Sequence, residues 1–352
     1  MYKYFTELVD FVGSRPKPFD NTKKYISTGA LKTNNISEDD IEMIDFATRP
    51  SRADLEVKNG DILFAKMAYT DKRLLVNDVE ASHIYSTGFF AVKPKDGILT
   101  AKCLYYLLSS ETFKNQKDAN STGATQKAIT IEGLKKIKLR VPEYNKQDRI
   151  GSVLENIERI IKYKQQQLSE YDQLIKSRFV EMFESFKKTD LSNIAEIIMG
   201  QSPDSAYYNE NGVGLPFFQG KADFGSKYTN VSYWTTKPSK TAKKGNVLMS
   251  VRAPVGPVNI SSVDCCIGRG LCSINAIPNK TNNEFLYNAL IAIQDQITAM
   301  GTGSTFKAIN KSDVYAIQLP LAPISLQNEF ANFVEQVDKL KFVVQKSLDE
   351  TQ

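Results

Sequence analysis

Two stretches of the chain share one order of hydrophobic and polar positions. KNGDILFAKM (58–67) and KKGNVLMSVR (243–252) each pass through a polar glycine turn, at Gly60 and Gly245, into an apolar run, ILF or VLM. This pattern predicts a strand entered through a tight turn. CLYYLL (103–108) and FLYNAL (285–290) fall in amphipathic stretches near 100–116 and 282–299 that predict one helix each. The octets TGATQKAI (122–129) and TGSTFKAI (302–309) come next, followed by short alternating strands, IKLRV and IQLPL. Prolines then break the pattern, Pro142 in one copy and Pro320 and Pro323 in the other, and a long helix closes each copy.

From Thr122 to Glu170 the second copy aligns without a gap at an offset of 180 positions. Ile137 falls on Ile317, Leu139 on Leu319, Gln147 on Gln327, Glu155 on Glu335 and Leu168 on Leu348. Upstream the offset drifts to 182 and 185, as loop insertions make it. The chain reads as a tandem repeat. The first long helix is predicted over about 146–186, with Asn145 as N-cap and Asp148 in the first turn, where its charge suits the dipole. Ser325 is the equivalent N-cap. Leu154, Ile161, Leu168, Ile175 and Met182 recur every seven residues, and Ile150, Ile157 and Tyr171 add a second line interrupted by Lys164. The second copy offers Phe330, Phe333, Val337, Leu340, Val344 and Leu348.

Such stripes seek a partner. Each helix packs on its own domain, or the two pair with each other. Pseudo-two-fold symmetry makes the pair antiparallel, a spacer spanning about 60 Å between two lobes. The second helix is expected to be the shorter, because Gln352 aligns with Asp172 and QLIKSRFVEMF (173–183) has no counterpart. The expected fold is α+β: two pseudo-symmetric domains, 1–144 and 189–323, joined by long antiparallel helices, 145–188 and 324–352, that form a coiled-coil spacer.

Composition narrows the class. With 352 residues, 41% hydrophobic and 24% charged, the chain is globular and long enough for two domains. No run of about 18 apolar residues predicts a membrane span. MYKYFTELVDF lacks the regions of a signal peptide, so a cytoplasmic location is the default. The cysteines, Cys103, Cys265, Cys266 and Cys272, form no CxxC pair and are expected to be buried thiols. The net charge of +5 is compatible with nucleic acid but decides nothing alone.

A search for catalytic chemistry returns little. His83 is the one histidine, expected to be structural or exposed, which disfavours Ser-His-Asp hydrolysis and histidine metal sites. There is no phosphate-binding glycine loop of the Walker or dinucleotide type. NGVGLPF (211–217) and IGRGLC (267–272) read as tight turns. No Pro-Pro dipeptide offers the base-holding loop of an amino-methyltransferase. Pro203-Asp204 is not followed by the Asp/Glu-x-Lys of metal-dependent nucleases, and Glu56-Val57-Lys58 lies in the other half. A repeat protein without catalytic residues reads as a binding module, and duplex DNA with two half-sites is a matching target.

Several motifs now carry a resemblance. SPDSAYYNENGVGLPFFQGKADFG (202–225) looks like the start of a target-recognition domain, and KYISTGAL (24–31) like the corresponding opening in the first half. With GDILFAK (60–66), IGRGLCSI (267–274), the paired octets and the helices beginning near Gln147 and Gln327, the chain resembles the specificity subunit of Type I restriction–modification systems. The resemblance covers nearly the whole chain. It implies two target-recognition domains, each reading half of a split DNA sequence. It also implies helices that set the unread spacer and dock two methyltransferase subunits, with endonuclease/translocase subunits joining for restriction. S-adenosylmethionine is expected in the methyltransferase subunits, and no cofactor, metal or catalytic residue in this chain. A DNA-cleaving or methylating enzyme fragment, or a protein-only helical adaptor, is the alternative.

The repeat divides framework from reader. Residues common to both halves cannot read two different half-sites. Lys127 and Lys307 follow the octet glycines and are candidates for phosphate contact, or else solvated turn lysines. Gly123 and Gly303 are expected to supply positive φ. Candidate base readers are Gln201, Ser202, Tyr207, Tyr208, Gln219, Lys221 and Arg252 in the second half, and Arg49, Arg52, Lys66 and Arg73 in the first. Trp234 is expected in the core.

Overall fold

The computed structural model describes residues 1–302 and 307–351, and it divides into two compact units, Met1–Ile160 and Ile161–Gln352. Each unit is built from two larger sheets, a two-stranded sheet, a set of short helices and part of the first long helix, and the second unit also holds the second long helix.

In the first unit, one antiparallel sheet has the order Val9–Val12, Phe89–Pro94, Ile62–Ala65, Arg73–Leu75. The predicted strand in GDILFAK is its Ile62–Ala65, with all four residues buried because both faces are covered. A second sheet runs Glu42–Ile44, Lys23–Ile26, Ile84–Ser86, Ala53–Leu55, and its two central strands pair in parallel. The second unit repeats the plan. Its antiparallel sheet is Ala195–Met199, Leu271–Ala276, Val247–Ser250, Val258–Ile260. In its other sheet Leu215–Phe218 pairs in parallel with Cys265–Ile267, as Lys23–Ile26 does with Ile84–Ser86. The strands of IKLRV and IQLPL appear as Lys138–Arg140 and Gln318–Pro320. They pair with Tyr2–Tyr4 and Lys188–Asp190, the strands that open each copy.

The structure departs from the sequence pattern at several helix boundaries. The stretch near 100–116 is two helices, Ala101–Ser109 and Glu111–Ala119, because the Ser110 hydroxyl accepts the Phe113 N–H and starts a new helix. The second copy likewise splits into Asn283–Ala292 and Gln294–Met300. The first long helix is Tyr144–Phe183, so Asn145 lies inside its first turn and is no cap. The second is Ile324–Asp349, capped by the backbone of Pro323, whose carbonyl accepts from Leu326 and Gln327, rather than by Ser325. One-turn helices after each octet, Ile131–Leu134 and Lys311–Tyr315, went unread.

One buried glutamine explains where both long helices begin. Gln147 Oε1 accepts the Thr100 N–H at 2.8 Å, and its amide donates to the carbonyls of Ile98 and Pro142 at 3.0 and 3.1 Å. Gln327 Oε1 accepts the Asn282 N–H at 3.3 Å and the Thr281 hydroxyl at 2.9 Å, and its amide donates to Lys280 and Ala322 carbonyls. Thr100 and Asn282 are the N-caps of the two short helices. The repeated glutamine therefore staples the start of the long helix to the start of the short one.

Within the second unit the two long helices run antiparallel. Lys164 Nζ donates to the Ser347 carbonyl at 2.7 Å and the Thr351 hydroxyl at 2.7 Å. Lys341 reaches Asp172 at 2.5 Å, and Phe179 and Phe183 pack on Phe330. The rising numbers of one helix thus meet the falling numbers of the other. Lys164, which interrupts the apolar line, sits where its charge meets the carbonyl end of the second helix. Tyr171, Ile175 and Phe333 pack in this core with Val337, and Leu168 and Val344 are half-buried and Leu348 buried. Leu154, Ile157 and Ile161 are half-buried on the predicted stripe. Leu340 departs from the prediction: it is 51% exposed, because Lys341 takes the inward place beside it. Ile150 is also exposed.

The four cysteines are buried and free. Trp234 is half-buried on a short strand rather than in the core. His83 is 8% exposed beside the Ser82 hydroxyl, a structural place.

Candidate nucleic-acid interface

The octets close small loops. Thr122 and Ala128 bridge each other, and Ala128 also bridges Met67 at the end of the central strand. Thr302 and Ala308 bridge each other, and Ala308 bridges Arg252. Gly123 has φ +132, and a Cβ there would collide with the Gln126 carbonyl, so the expectation of positive φ holds at this copy. Gly303 lies outside the described residues.

Each octet forms one wall of a concavity, and the two concavities are built alike. In the first unit a depression of about 320 Å³ is lined by Arg52, Lys66, Met67, Thr87, Gly88, Gln126, Lys127 and Ala128, with Thr28. In the second, about 750 Å³ is lined by Gln201, Val251, Arg252, Arg269, Thr302 and Ala308, with neighbouring backbone. Matching backbone hydrogen bonds fix the equivalence. Lys66 N–H donates to the Gly88 carbonyl and Val251 N–H to that of Gly270, each at 2.9 Å. Ile129 N–H donates to Lys66 and Ile309 N–H to Val251. The frame is the same and the side chains on it differ.

The side chains sort clearly. Arg52, Lys127, Gln201, Arg252 and Lys307 are exposed. Lys66 is half-buried, its ammonium 2.8 Å from the Thr87 carbonyl and over the Phe90 ring, and burial lowers its pKa. Tyr207 is 38% exposed with Lys237 over its ring, and Gln219 and Lys221 are exposed beside the turn that carries Arg269. A Cβ at Gly270 would collide with the Gln219 carbonyl, which holds that turn against Gln219. Arg269 was missed in the sequence; it stands exposed between the two glycines of IGRGLC, and that flanking was its only signal.

Four expected readers are framework instead. Arg73 is 5% exposed, paired with Asp71 at 2.8 Å and Glu158 at 2.9 Å and stacked on Tyr105. Arg49 stacks on Phe46 at 4.1 Å and donates to the Phe46 and Ala53 carbonyls. Tyr208 donates to the Pro203 carbonyl and packs on Phe217. The Ser202 hydroxyl accepts the Arg269 N–H and braces that turn. For Arg73, Arg49 and Tyr208 the donors and faces are engaged inside the fold, whereas the Ser202 hydroxyl only accepts there.

A family model described as "Type I restriction modification DNA specificity domain" matches residues 14–170 and again 183–350. The chain belongs to the Type I restriction–modification DNA specificity family. This specificity subunit is 32% identical over 316 residues to the putative type I restriction enzyme MjaX specificity subunit of Methanocaldococcus jannaschii, covering 83% of this chain and 74% of that one. It is 22% identical to the MjaIX specificity subunit of the same organism, over 70% of this chain and 64% of that one. Among solved structures, a chain from work on complex assembly and conformational transition of the type I R-M system matches with TM-score 0.65 and 28% identity. That match covers 100% of this chain and 94% of that one. The S subunit from M. genitalium has the same fold, with TM-score 0.62 at 15% identity, covering 100% of this chain and 92% of that one. The specificity subunit thus carries two target-recognition domains, and no helix among its described residues is long and apolar enough to cross a membrane.

Proposed function

We propose that each unit reads one half of a bipartite DNA target through the concavity beside its octet. The observation that supports this reading is the pair of depressions with a common frame and different polar side chains. Arg52, Lys66 and Lys127 serve the first half-site. Gln201, Arg252, Arg269 and Lys307 serve the second, with Tyr207, Gln219 and Lys221 at its margin. The octet lysines hold phosphate, which positions the domain, while arginine and glutamine read base edges, which specifies it. The subunit itself catalyses nothing. The long helices dock two methyltransferase subunits that bind S-adenosylmethionine, and endonuclease/translocase subunits complete the assembly. The relatives' names as specificity subunits support that division of labour.

The test is an exchange of residues 189–323 for the corresponding domain of another specificity subunit. The methylome of a host carrying the chimera with its methyltransferase should show one half of the motif altered. A change in both halves, or in neither, contradicts the assignment of one half-site to each unit.

A further inference from the structure

The loop that follows the central strand of the first unit carries an unusual residue. Tyr69 has φ +58, and it is 76% exposed. A tyrosine rarely adopts this left-handed conformation, since its Cβ crowds the backbone there, whereas glycine pays no such penalty. The loop would be served at least as well by glycine. Among the described residues the ring has no aromatic or cationic partner and the hydroxyl no hydrogen bond, so most of the side chain lies in solvent.

The loop is nevertheless built rigidly around that ring. Lys117, 3% exposed, donates to the carbonyls of Met67 at 3.1 Å and Thr70 at 2.6 Å, one on each side. Burial lowers the Lys117 pKa, and the two carbonyls satisfy its ammonium. Asp118 accepts the Tyr69 N–H at 2.9 Å, and the Thr70 hydroxyl donates back to Met67. The Ala68 N–H donates to the Lys127 carbonyl at 2.9 Å, which fixes the loop to the octet. These bonds hold the backbone of residues 67–70 and keep Tyr69 in its strained conformation, the kind of strain that clusters at functional sites.

The second unit sharpens the point. Its equivalent carbonyl, at Val255, is gripped from the corresponding helix, one position on, by the Thr298 hydroxyl at 3.0 Å. Ser250 adds bonds to the carbonyls of Arg252 and Pro254. The loop is held in both units, but Tyr69 is replaced by Pro254. It stands where the frame repeats and the side chain does not.

We infer that Tyr69 is a specificity-determining residue of the first half-site, a fixed aromatic that contacts a base at the rim of the Arg52–Lys66–Lys127 concavity. This rests on the reading of that concavity as a DNA surface. Its surroundings favour nucleic acid over a protein partner. The acidic groups beside the loop are already spent, Asp71 on Arg73 and Lys114 and Asp118 on the Tyr69 N–H, while Arg52 and Lys127 face solvent. In a duplex the base faces are stacked, so the ring is placed to meet base edges or a thymine methyl in a groove while the cations hold phosphates.

The test uses the chain assembled with its methyltransferase subunits. Tyr69→Gly removes the ring and relieves the strained φ, so the protein should melt no lower than the parent. Its affinity for a duplex carrying the parent's methylated motif should fall about ten-fold, the loss of one base-edge contact. Its methylome should relax at one base position in one half of the motif and leave the other half unchanged. Unchanged affinity and motif overturn the role of Tyr69, as does a variant that fails to assemble, which would make the ring a protein contact. The triple variant Arg52→Ala, Lys66→Ala, Lys127→Ala separates the readings. If it loses affinity while Tyr69→Gly does not, only Tyr69 is withdrawn; if neither loses affinity, the DNA surface falls as well.

Discussion

The two units meet the same structural demand at one site with different residues. In the first, the cation tying the recognition domain to the long helix is Arg73, on an edge strand, paired with Glu158 and stacked on Tyr105. In the second it is Lys227, from a loop beside the edge strand, paired with Asp338 at 2.5 Å and Glu284 at 2.9 Å near the Tyr287 ring. Glu158 and Asp338 stand 180 positions apart, at equivalent places on the two helices. Burial alone would depress the Lys227 pKa, but the two carboxylates outweigh it and hold the ammonium protonated. The helix keeps its acid and the domain supplies a cation from wherever its own chain allows. The glutamine staples teach the opposite lesson: Gln147 and Gln327 share the cap N–H and two equivalent carbonyls, and Gln327 only adds the Thr281 hydroxyl. Junctions inside the helical framework repeat; junctions between domain and helix need only repeat their charge.

This contrast can be broken by measurement. The largest effect is expected from Arg73→Met, which strands Glu158 and Asp71 beside a buried site. It should destabilise the first unit by about 3 kcal/mol in urea unfolding, the low end for a buried pair, because both carboxylates stay about a third exposed and Asp71 keeps Lys114. Lys227→Met strands Glu284 and Asp338, which are at least as shielded as Asp71 and Glu158, and should cost about as much; a much smaller loss would show that the burial of the cation itself sets the cost. Gln147→Leu leaves a cap N–H and two carbonyls unpaired, and Gln327→Leu the same set with the Thr281 hydroxyl, for about 2–3 kcal/mol each. Their costs should agree closely, and a large inequality would show that the staples are alike in geometry only. Arg252→Ala and Arg269→Ala should keep the melting temperature and weaken DNA binding of the assembled complex about ten-fold, read by gel-shift titration. An unchanged affinity removes the residue from the reading surface. The smallest effect is expected from Lys127→Ala and Lys307→Ala. Each should weaken binding evenly across sequences and flatten the slope of log affinity against log salt by about one.

The repeat made the framework legible. The offset that aligned Ile137 with Ile317 also aligned Gln147 with Gln327, and the heptad lines gave the buried side of the first long helix. What remained hidden depended on partners far along the chain. Nothing near Arg73 announces Glu158, 85 positions later, so an arginine bound for the interior read as a surface group. Leu340 looked like seam because it is apolar, yet the helix turns Lys341 inward to meet Asp172. The break at Ser110 was lost because its hydroxyl both ends one helix and caps the next. Lys66, Lys127 and Arg52 come from three separate segments, and only the fold gathers them.

One hydrogen bond between octet and strand-end loop has a mechanical consequence. The Lys127 carbonyl accepts from Ala68, and the Lys66 carbonyl from Ile129, so the octet and the loop bearing Tyr69 move as one body. If the lysine grips the sugar–phosphate rail, the ring cannot hunt for a better base on its own. A shift of one step along the duplex displaces anchor and reader together. Proofreading then falls on register as a whole, and a misplaced domain loses every contact at once instead of one at a time.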